Sequence, residues 1–220
     1  MQIFKINPER PERKLIKQAA EIIKRNGVVV YPTDTVYGMG VNALNEEAIE
    51  KLFVVKERPK NKPFSVIVED IKMVKKFACV DSRIEKILAK LLPGPITVIL
   101  FKKEILSPAQ NFLMRGLPDI LTSGTGLIGI RVPDYKITRL LSAELNIPFT
   151  ATSANISGRP ASGKIKEVVR QFQNKKNQPD LILDAGDLPE SEPSTVIDLT
   201  SCRSKILRSG PADNFLKKII

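Results

Sequence analysis

Histidine is absent from all 220 residues, and so is tryptophan. Without histidine there is no Ser-His-Asp triad, no Cys-His pair and no His-ligated zinc site. Cysteine occurs twice, at Cys79 and Cys202, far apart and outside any CxxC spacing, which points to buried or half-buried thiols rather than a disulfide or a nucleophile. No apolar run approaches the ~18 residues that a membrane-spanning helix needs. The N-terminal MQIFKINPERPERK lacks the apolar core of a signal peptide, so the expected location is cytoplasmic, with no membrane contact. Chemistry in this chain must run on lysine, arginine, hydroxyls, amides and carboxylates.

What the chain does have is positive charge: 35 Lys and Arg against 24 Asp and Glu, a formal net charge of +11. Such an excess concentrates anions, either the phosphates of a small molecule or a nucleic-acid backbone. At 42% hydrophobic residues the composition is that of a globular protein, and the length suits one sizeable domain or two small ones.

Apolar spacing predicts helices over 11–25, from Asn45 to Lys56, over 70–77 and 82–92, near 138–145, over 164–173 and in the tail 213–220. Strands are expected at 3–6, 28–31, 65–68, 96–101, 128–132, 149–152, 181–184, 194–199 and 205–208. Residues 103–126 read as irregular, either a lid or a static loop. No repeat or linker interrupts the chain. Interleaved strands and helices, with strands crowding near the end, argue for one α/β domain over 1–220 on a mixed sheet.

Gly124-Thr125-Gly126-Leu127-Ile128-Gly129 matches GxGxxG but runs into the β-branched IGIRV, whereas a dinucleotide site needs a helix there. There is no GxxxxGK[ST], so any nucleotide is held without a P-loop. Three other segments are more informative. YPTDTVYGMG, 31–40, carries the hydroxyls of Thr33, Thr35 and Tyr37, more than a turn requires. KERPKNKPF, 56–64, packs Lys56, Arg58, Lys60 and Lys62 into a proline-framed, extended connection; alternate residues of such a segment share a face, and close cations call for an anion. PFTATSANISGRPASG, 148–163, ends a strand in small hydroxyls and an amide suited to a phosphate or an adenine. SEPSTVIDL and KILRSGP add Ser194, Thr195 and Arg208. These polar groups are expected at strand ends, at one edge of the sheet.

YPTDTVYG, KERPxxKP, PGPITVIL, IGIRVPD, ATSANISG, STVIDL and ILRSGP occur in this order across about residues 13–211. Together they resemble the YrdC/Sua5 family, the L-threonylcarbamoyladenylate synthases. The resemblance implies a YrdC-like domain: a twisted mixed parallel/antiparallel sheet flanked by helices, with a concave, positively charged cavity. It implies synthesis of L-threonylcarbamoyl-AMP from L-threonine, bicarbonate and ATP with release of pyrophosphate, for tRNA N6-threonylcarbamoyladenosine, with downstream tRNA-modification machinery as partner. By the same resemblance Lys56 and Arg58 are catalytic, and Thr35, Arg131, Ser153 and Ser194 hold threonine. Arg58, Lys62, Thr122, Ser153, Asn155 and Arg208 contact ATP, and Tyr37 is a wall. No protein metal site is implied; Mg²⁺ is expected through the ATP phosphates. Some relatives carry histidine where Ile67 stands, so a polar contact to threonine is missing or replaced. The chain resembles the short, single-domain form.

Two alternatives compete. A non-catalytic basic protein binding double-stranded RNA or tRNA suits the charge but does not need the neutral hydroxyls. The carbamoyl-transfer use of the fold in hydrogenase maturation carries zinc-binding Cys clusters that this sequence lacks.

Overall fold

One run of alternating residues explains much of the architecture. In Val28-Val29-Val30-Tyr31, successive side chains point to opposite faces. Val28 and Val30 enter one buried cluster, and Val29 and Tyr31 enter another. A sheet with apolar side chains on both faces must be covered on both, and helices cover it here. The computed structural model describes residues 1–104 and 116–218.

In chain order the elements are β1 (Gln2–Lys5), α1 (Arg13–Lys24), β2 (Val29–Tyr31), β3 (Gly38–Gly40), α2 (Glu46–Lys56) and β4 (Ser65–Ile67). Next come α3 (Ile71–Phe77), α4 (Ser82–Leu91), β5 (Ile96–Phe101), α5 (Asp119–Thr122), β6 (Leu127–Arg131) and α6 (Lys136–Leu145). The chain continues through β7 (Phe149–Ser153), α7 (Ile165–Phe172), β8 (Leu181–Asp184), β9 (Thr195–Asp198), β10 (Lys205–Arg208) and α8 (Asp213–Leu216). The strands form one mixed sheet in the order β1-β8-β2-β3-β7-β4-β6-β5-β9-β10. Pairs β1/β8, β2/β8, β4/β6 and β5/β9 are parallel, and the others are antiparallel.

One face carries Val30, Met39, Val66, Val98, Ile130 and Ile197 and is packed by α2, α3, α4 and α7 through residues such as Leu52, Val74, Leu88 and Val168. On the other face, Val29, Tyr31, Ile67 and Phe149 pack under α1 and α6 through Ile16, Ile23, Ile137 and Leu141. This second cluster occupies only part of its face. Continuing across the sheet, the same face changes to small and polar residues: Ser153 and Ala151 on β7, Ser65 on β4, Arg131 on β6, Thr97 on β5 and Arg208 on β10. Here the face lines a hollow instead of a core.

Local chemistry sets the element ends. Asn45, Asp70 and Asp81 each accept a backbone N–H from three residues on, capping α2, α3 and α4. α2 ends at Glu57 in the left-handed region, φ 49°. The segment from Lys56 is therefore a helix terminus and a kink, not the extended run expected. The backbone reversal turns Lys56 inward while Arg58 goes to the rim of the hollow.

Sequence spacing misses β3 and α5. Gly-Met-Gly has weak strand preference, but the glycines are required by a ring. A Cβ on Gly38 would lie 2.6 Å from Tyr31 Cε2, and one on Gly40 would lie 2.8 Å from Tyr31 Cε1 and 2.9 Å from Phe149 Cδ2. Tyr31 lies across β3, donates to the Thr150 carbonyl at 2.8 Å, and meets Phe149 edge-on at 5.2 Å between centroids. Gly124 and Gly126 are at positive φ in the turn into β6, a strand, so their motif serves a turn and not a dinucleotide. The part of the 103–126 reading that falls on 105–115 lies outside the described residues. No described helix is long and apolar enough to cross a membrane.

Candidate active site

The hollow on the sheet face has a volume of about 200 Å³. Arg58, Arg131 and Arg208 line it, and among the described residues no carboxylate does. Its polar groups stand on the face of the strands and on the loop after β2, rather than at one edge of the sheet as the sequence suggested. The reason is the run of small side chains: Gly38, Ser153, Ala151, Ser65 and Gly129 leave depth where larger residues would fill it.

Arg131 is held at one wall. Its Nη2 donates to Asp34 Oδ1 at 2.5 Å, and both side chains are about 10% exposed. Asp34 also accepts from the Asp134 N–H at 3.0 Å. Arg131 Nε is buried and has no partner among the described residues, an arrangement that costs free energy unless a bound group accepts from it. Arg208 donates through Nε and Nη2 to the Ser194 carbonyl at 3.0 and 2.7 Å, and through Nη2 to Ser194 Oγ at 3.1 Å. Ser194 Oγ in turn lies 2.8 Å from Thr97 Oγ1. Burial, and secondarily the nearby Arg131, lower the Arg208 pKa. Arg58 donates to the carbonyls of Lys62 (3.1 Å) and Pro63 (2.9 Å) and stacks 4.9 Å from the Phe64 ring centroid; burial lowers its pKa too. Three cations partly desolvated around one hollow repel, and an anion between them relieves that repulsion.

The loop 32–37 divides its hydroxyls unequally. Thr33 Oγ1 donates its single proton to the Val36 carbonyl at 2.7 Å and accepts from the Thr35 N–H at 3.1 Å. It can then only accept from Thr35 Oγ1, 3.1 Å away, leaving Thr35 lone pairs toward the hollow. Tyr37 donates to the Gly186 carbonyl at 2.6 Å and accepts from the Ala185 N–H at 3.0 Å. Its ring is a wall, as expected, but its hydroxyl is committed to the 184–187 loop. Burial raises its pKa further. Of the three hydroxyls that the sequence singles out, Thr35 is the one with capacity left.

Thr35, Arg58, Arg131, Ser153, Ser194 and Arg208 thus meet at the hollow. Lys56, Lys62, Thr122 and Asn155 do not line it. Lys56 is 1% exposed, and its Nζ donates to the Ser153 carbonyl (2.5 Å), the Asn155 carbonyl (2.9 Å) and Asn155 Oδ1 (3.2 Å). Burial, and then the Arg58 charge, push its pKa down to about 7. Three acceptors match the three protons of an ammonium. Asn155 is equally engaged: Oδ1 also accepts from Ser153 Oγ at 2.5 Å, and Nδ2 donates to the Arg159 carbonyl at 2.6 Å. Thr122 is fully buried and donates to the Asp119 carbonyl within its own turn. Lys62 is exposed on the loop that Arg58 braces. Ile67 packs with Tyr31 and Phe149 in the core. Two lining hydroxyls that the motifs did not indicate, Ser65 and Thr97, follow from strand alternation once the register is known.

The family profile Sua5_yciO_yrdC, described as Telomere recombination, matches residues 21–210. A protein of Methanocaldococcus jannaschii named "Putative threonylcarbamoyl-AMP synthase" is 36% identical over 210 residues, covering 96% of this chain and 92% of that protein. The crystal structure of Pyrococcus abyssi Sua5 complexed with L-threonine superposes with a TM-score of 0.87 at 31% identity, over 100% of this chain and 61% of that longer one. The crystal structure of Escherichia coli YciO gives 0.82 at 29% identity, over 97% of this chain and 98% of the other.

Proposed function

The chain belongs to the Sua5/YciO/YrdC family, and we propose that it synthesises L-threonylcarbamoyl-AMP from L-threonine, bicarbonate and ATP, releasing pyrophosphate. The observation that carries this reading is the meeting of three arginines with the Thr35 and Ser194 hydroxyls in one hollow that no carboxylate lines among the described residues. At about 200 Å³ the hollow suits an amino acid and its carbamate better than a whole nucleotide. The nucleotide would therefore lie toward the open side, with its phosphates over the arginines. The solved relative with bound L-threonine, and the synthase names of relatives, support threonine and an adenine nucleotide as substrates.

The chemistry needs no histidine base. The threonine amine adds to carbon dioxide from bicarbonate and gives up a proton, leaving an N-carboxylate. One carboxylate oxygen attacks the α-phosphorus of ATP, the bond to the bridging oxygen breaks, and pyrophosphate leaves. The obstacle is the approach of two anions, and Arg58, Arg131 and Arg208 offset it from fixed positions. In this reading Thr35, Arg131, Ser153 and Ser194 hold the amino acid, and Arg58 and Arg208 face the nucleotide. Lys62, exposed beside Arg58, reaches the triphosphate from the rim. Lys56 and Asn155 act by holding the 153–155 turn in place. Thr122 supports the loop from within α5.

Magnesium enters on the phosphates of ATP as part of the substrate and supplies charge to the departing pyrophosphate. The lining fits that arrangement, since side chains that are all neutral or cationic leave the metal's ligands to the triphosphate and water. The product is an activated carbamate for transfer to tRNA by a separate machinery, and the site of action is the cytoplasm.

The test is pyrophosphate release from ATP and Mg²⁺ with bicarbonate and threonine, each omitted in turn. The expected result is release that needs all four. Release without threonine or bicarbonate, or none together with steeply salt-dependent RNA affinity, would replace this reading with another nucleotide-cleaving activity or with RNA binding.

A further inference from the structure

Ser65 is the first residue of β4, and its side chain stands on the floor of the hollow. Its neighbours across the sheet are the smallest available. Ser65 pairs with Ala151 on β7, and on the β6 side it lies beside Gly129. A Cβ placed on Gly129 would come within 2.3 Å of Ser65 Oγ and 3.0 Å of Ser65 Cβ. Glycine at 129 is in the middle of a strand and not at positive φ, so backbone conformation does not demand it. What demands it most is room for the Ser65 hydroxyl, with Ile99 Cδ1 at 3.2 Å a looser second contact.

The hydroxyl thus accommodated has no hydrogen-bond partner among the described residues. The hydroxyls of Thr33, Thr97, Ser153 and Ser194 around the same hollow all have one. Arg131, two residues beyond Gly129 on the same face of β6, brings a cation beside it. Ser65 is half-buried, and a ligand seated on it would strip away its water, which costs free energy unless the ligand replaces the bond.

We infer that the Ser65 hydroxyl is a further substrate contact, donating to an anionic oxygen of the amino-acid half, and that Gly129 is the residue that positions it. The amino-acid half is indicated because the floor of so small a hollow is out of reach of a nucleotide lying over its mouth. This inference rests on the proposed synthase reading.

The experiment compares the wild type with Ser65→Ala, Gly129→Ala and the double variant, measuring pyrophosphate release, threonine and ATP KM, and melting temperature. Ser65→Ala is expected to raise the threonine KM by about tenfold, as for a lost bond to a charged group, with the ATP KM unchanged within about twofold. Gly129→Ala should do the same by displacing the hydroxyl. In the Ser65→Ala background it should add little to the threonine KM, because the Oγ that it would strike at 2.3 Å is gone and only the looser contacts with Cβ of residue 65 (3.0 Å) and Ile99 Cδ1 (3.2 Å) remain. An unchanged threonine KM in Ser65→Ala, a shift in ATP KM instead, or additive effects of the two substitutions would overturn the inference while leaving the synthase reading intact. Wild-type protein that releases no threonine-dependent pyrophosphate would overturn both.

Discussion

Lys56 and Asn155, 99 residues apart in sequence, are joined by two hydrogen bonds from one ammonium group, to the Asn155 carbonyl at 2.9 Å and to Oδ1 at 3.2 Å. A third bond from the same nitrogen reaches the Ser153 carbonyl. The last residue of α2 thereby fixes the turn after β7, whose Ser153 faces the hollow. This geometry gives the paired motifs KxR and SxN a common physical purpose: one supplies the donor, the other the acceptors.

Replacing Lys56 with methionine keeps the bulk but removes a donor from three acceptors. Asn155 Oδ1 keeps its bond from Ser153 Oγ and the Ser153 carbonyl keeps one from the Asn155 N–H, so the Asn155 carbonyl is the acceptor left without a donor among the described residues. One orphaned acceptor costs on the order of 1–3 kcal/mol, and the turn is expected to move. Turnover should fall on the order of 10²-fold. Asn155→Ala should be nearly as severe, and the double variant little worse than either single one. Pyrophosphate release by the three proteins checks this; fully multiplicative losses would show that the two residues act separately.

The same lysine gives a pH signature. Its pKa in the folded chain is about 7, below the ordinary value near 10.4. Between these values the unfolded chain holds the extra proton. Stability therefore rises with pH across that window, and the cost of burying the charge is fully present below about pH 7. Lys56→Met lacks this term. The melting-temperature difference, wild type minus variant, should grow in favour of the wild type from pH 7 to pH 9. A flat difference would mean that the ammonium is not perturbed.

Arg58→Ala and Arg208→Ala should each lower kcat/KM on the order of 10²-fold, since each cation is pre-placed where negative charge gathers. Arg208→Ala carries a second effect, because Ser194 loses its guanidinium partner. Its threonine KM should rise as well, whereas Arg58→Ala should act mainly through ATP. Steady-state kinetics with each substrate varied separate the two patterns.

Substrate choice should depend on the threonine hydroxyl. A site that bonds it leaves a buried partner unpaired when valine binds, a penalty that rejects isosteres strongly. Valine turnover is expected to lie orders of magnitude below that of threonine. Thr35 is the hydroxyl of its loop with capacity left, so Thr35→Ala should raise the threonine KM. Equal turnover of threonine and valine would remove the hydroxyl from the recognition scheme.

The strands with clear alternation or β-branched runs were legible in the sequence: Ile96–Phe101, Leu181–Asp184 and Lys205–Arg208 occur where apolar spacing puts them. The Asn45 cap and the helix it opens were equally plain. Gly38–Gly40 was not, because its reason lies in the Tyr31 ring stacked across it, a contact made between strands. The site was legible as a set of residues but not as a geometry. Charge and motif order select Arg58, Arg131 and Arg208 but cannot reveal that Lys56 turns inward at a left-handed Glu57. Nor can they reveal that Thr33 and Tyr37 spend their hydroxyls on backbone. Ser65 belongs to no motif, Thr97 sits unmarked inside PGPITVIL, and the place of both on the concave face follows only from strand pairing.

Gly38→Ala offers a check on the fold independent of catalysis. The new methyl would strike a fully buried ring whose hydroxyl is tied to Thr150, so destabilisation of about 1–3 kcal/mol is expected. Tyr31→Phe, which loses the bond to the Thr150 carbonyl, should cost about 1 kcal/mol. Denaturant unfolding measures both, and a neutral Gly38→Ala would mean that the ring does not lie over β3.

The most direct measurement is mass spectrometry of the nucleotide product made from ATP, Mg²⁺, threonine and isotopically labelled bicarbonate. The expected product is threonylcarbamoyl-AMP bearing the label, formed alongside an equal amount of pyrophosphate. An unlabelled threonyl adenylate, or no adenylylated amino acid at all, would contradict it.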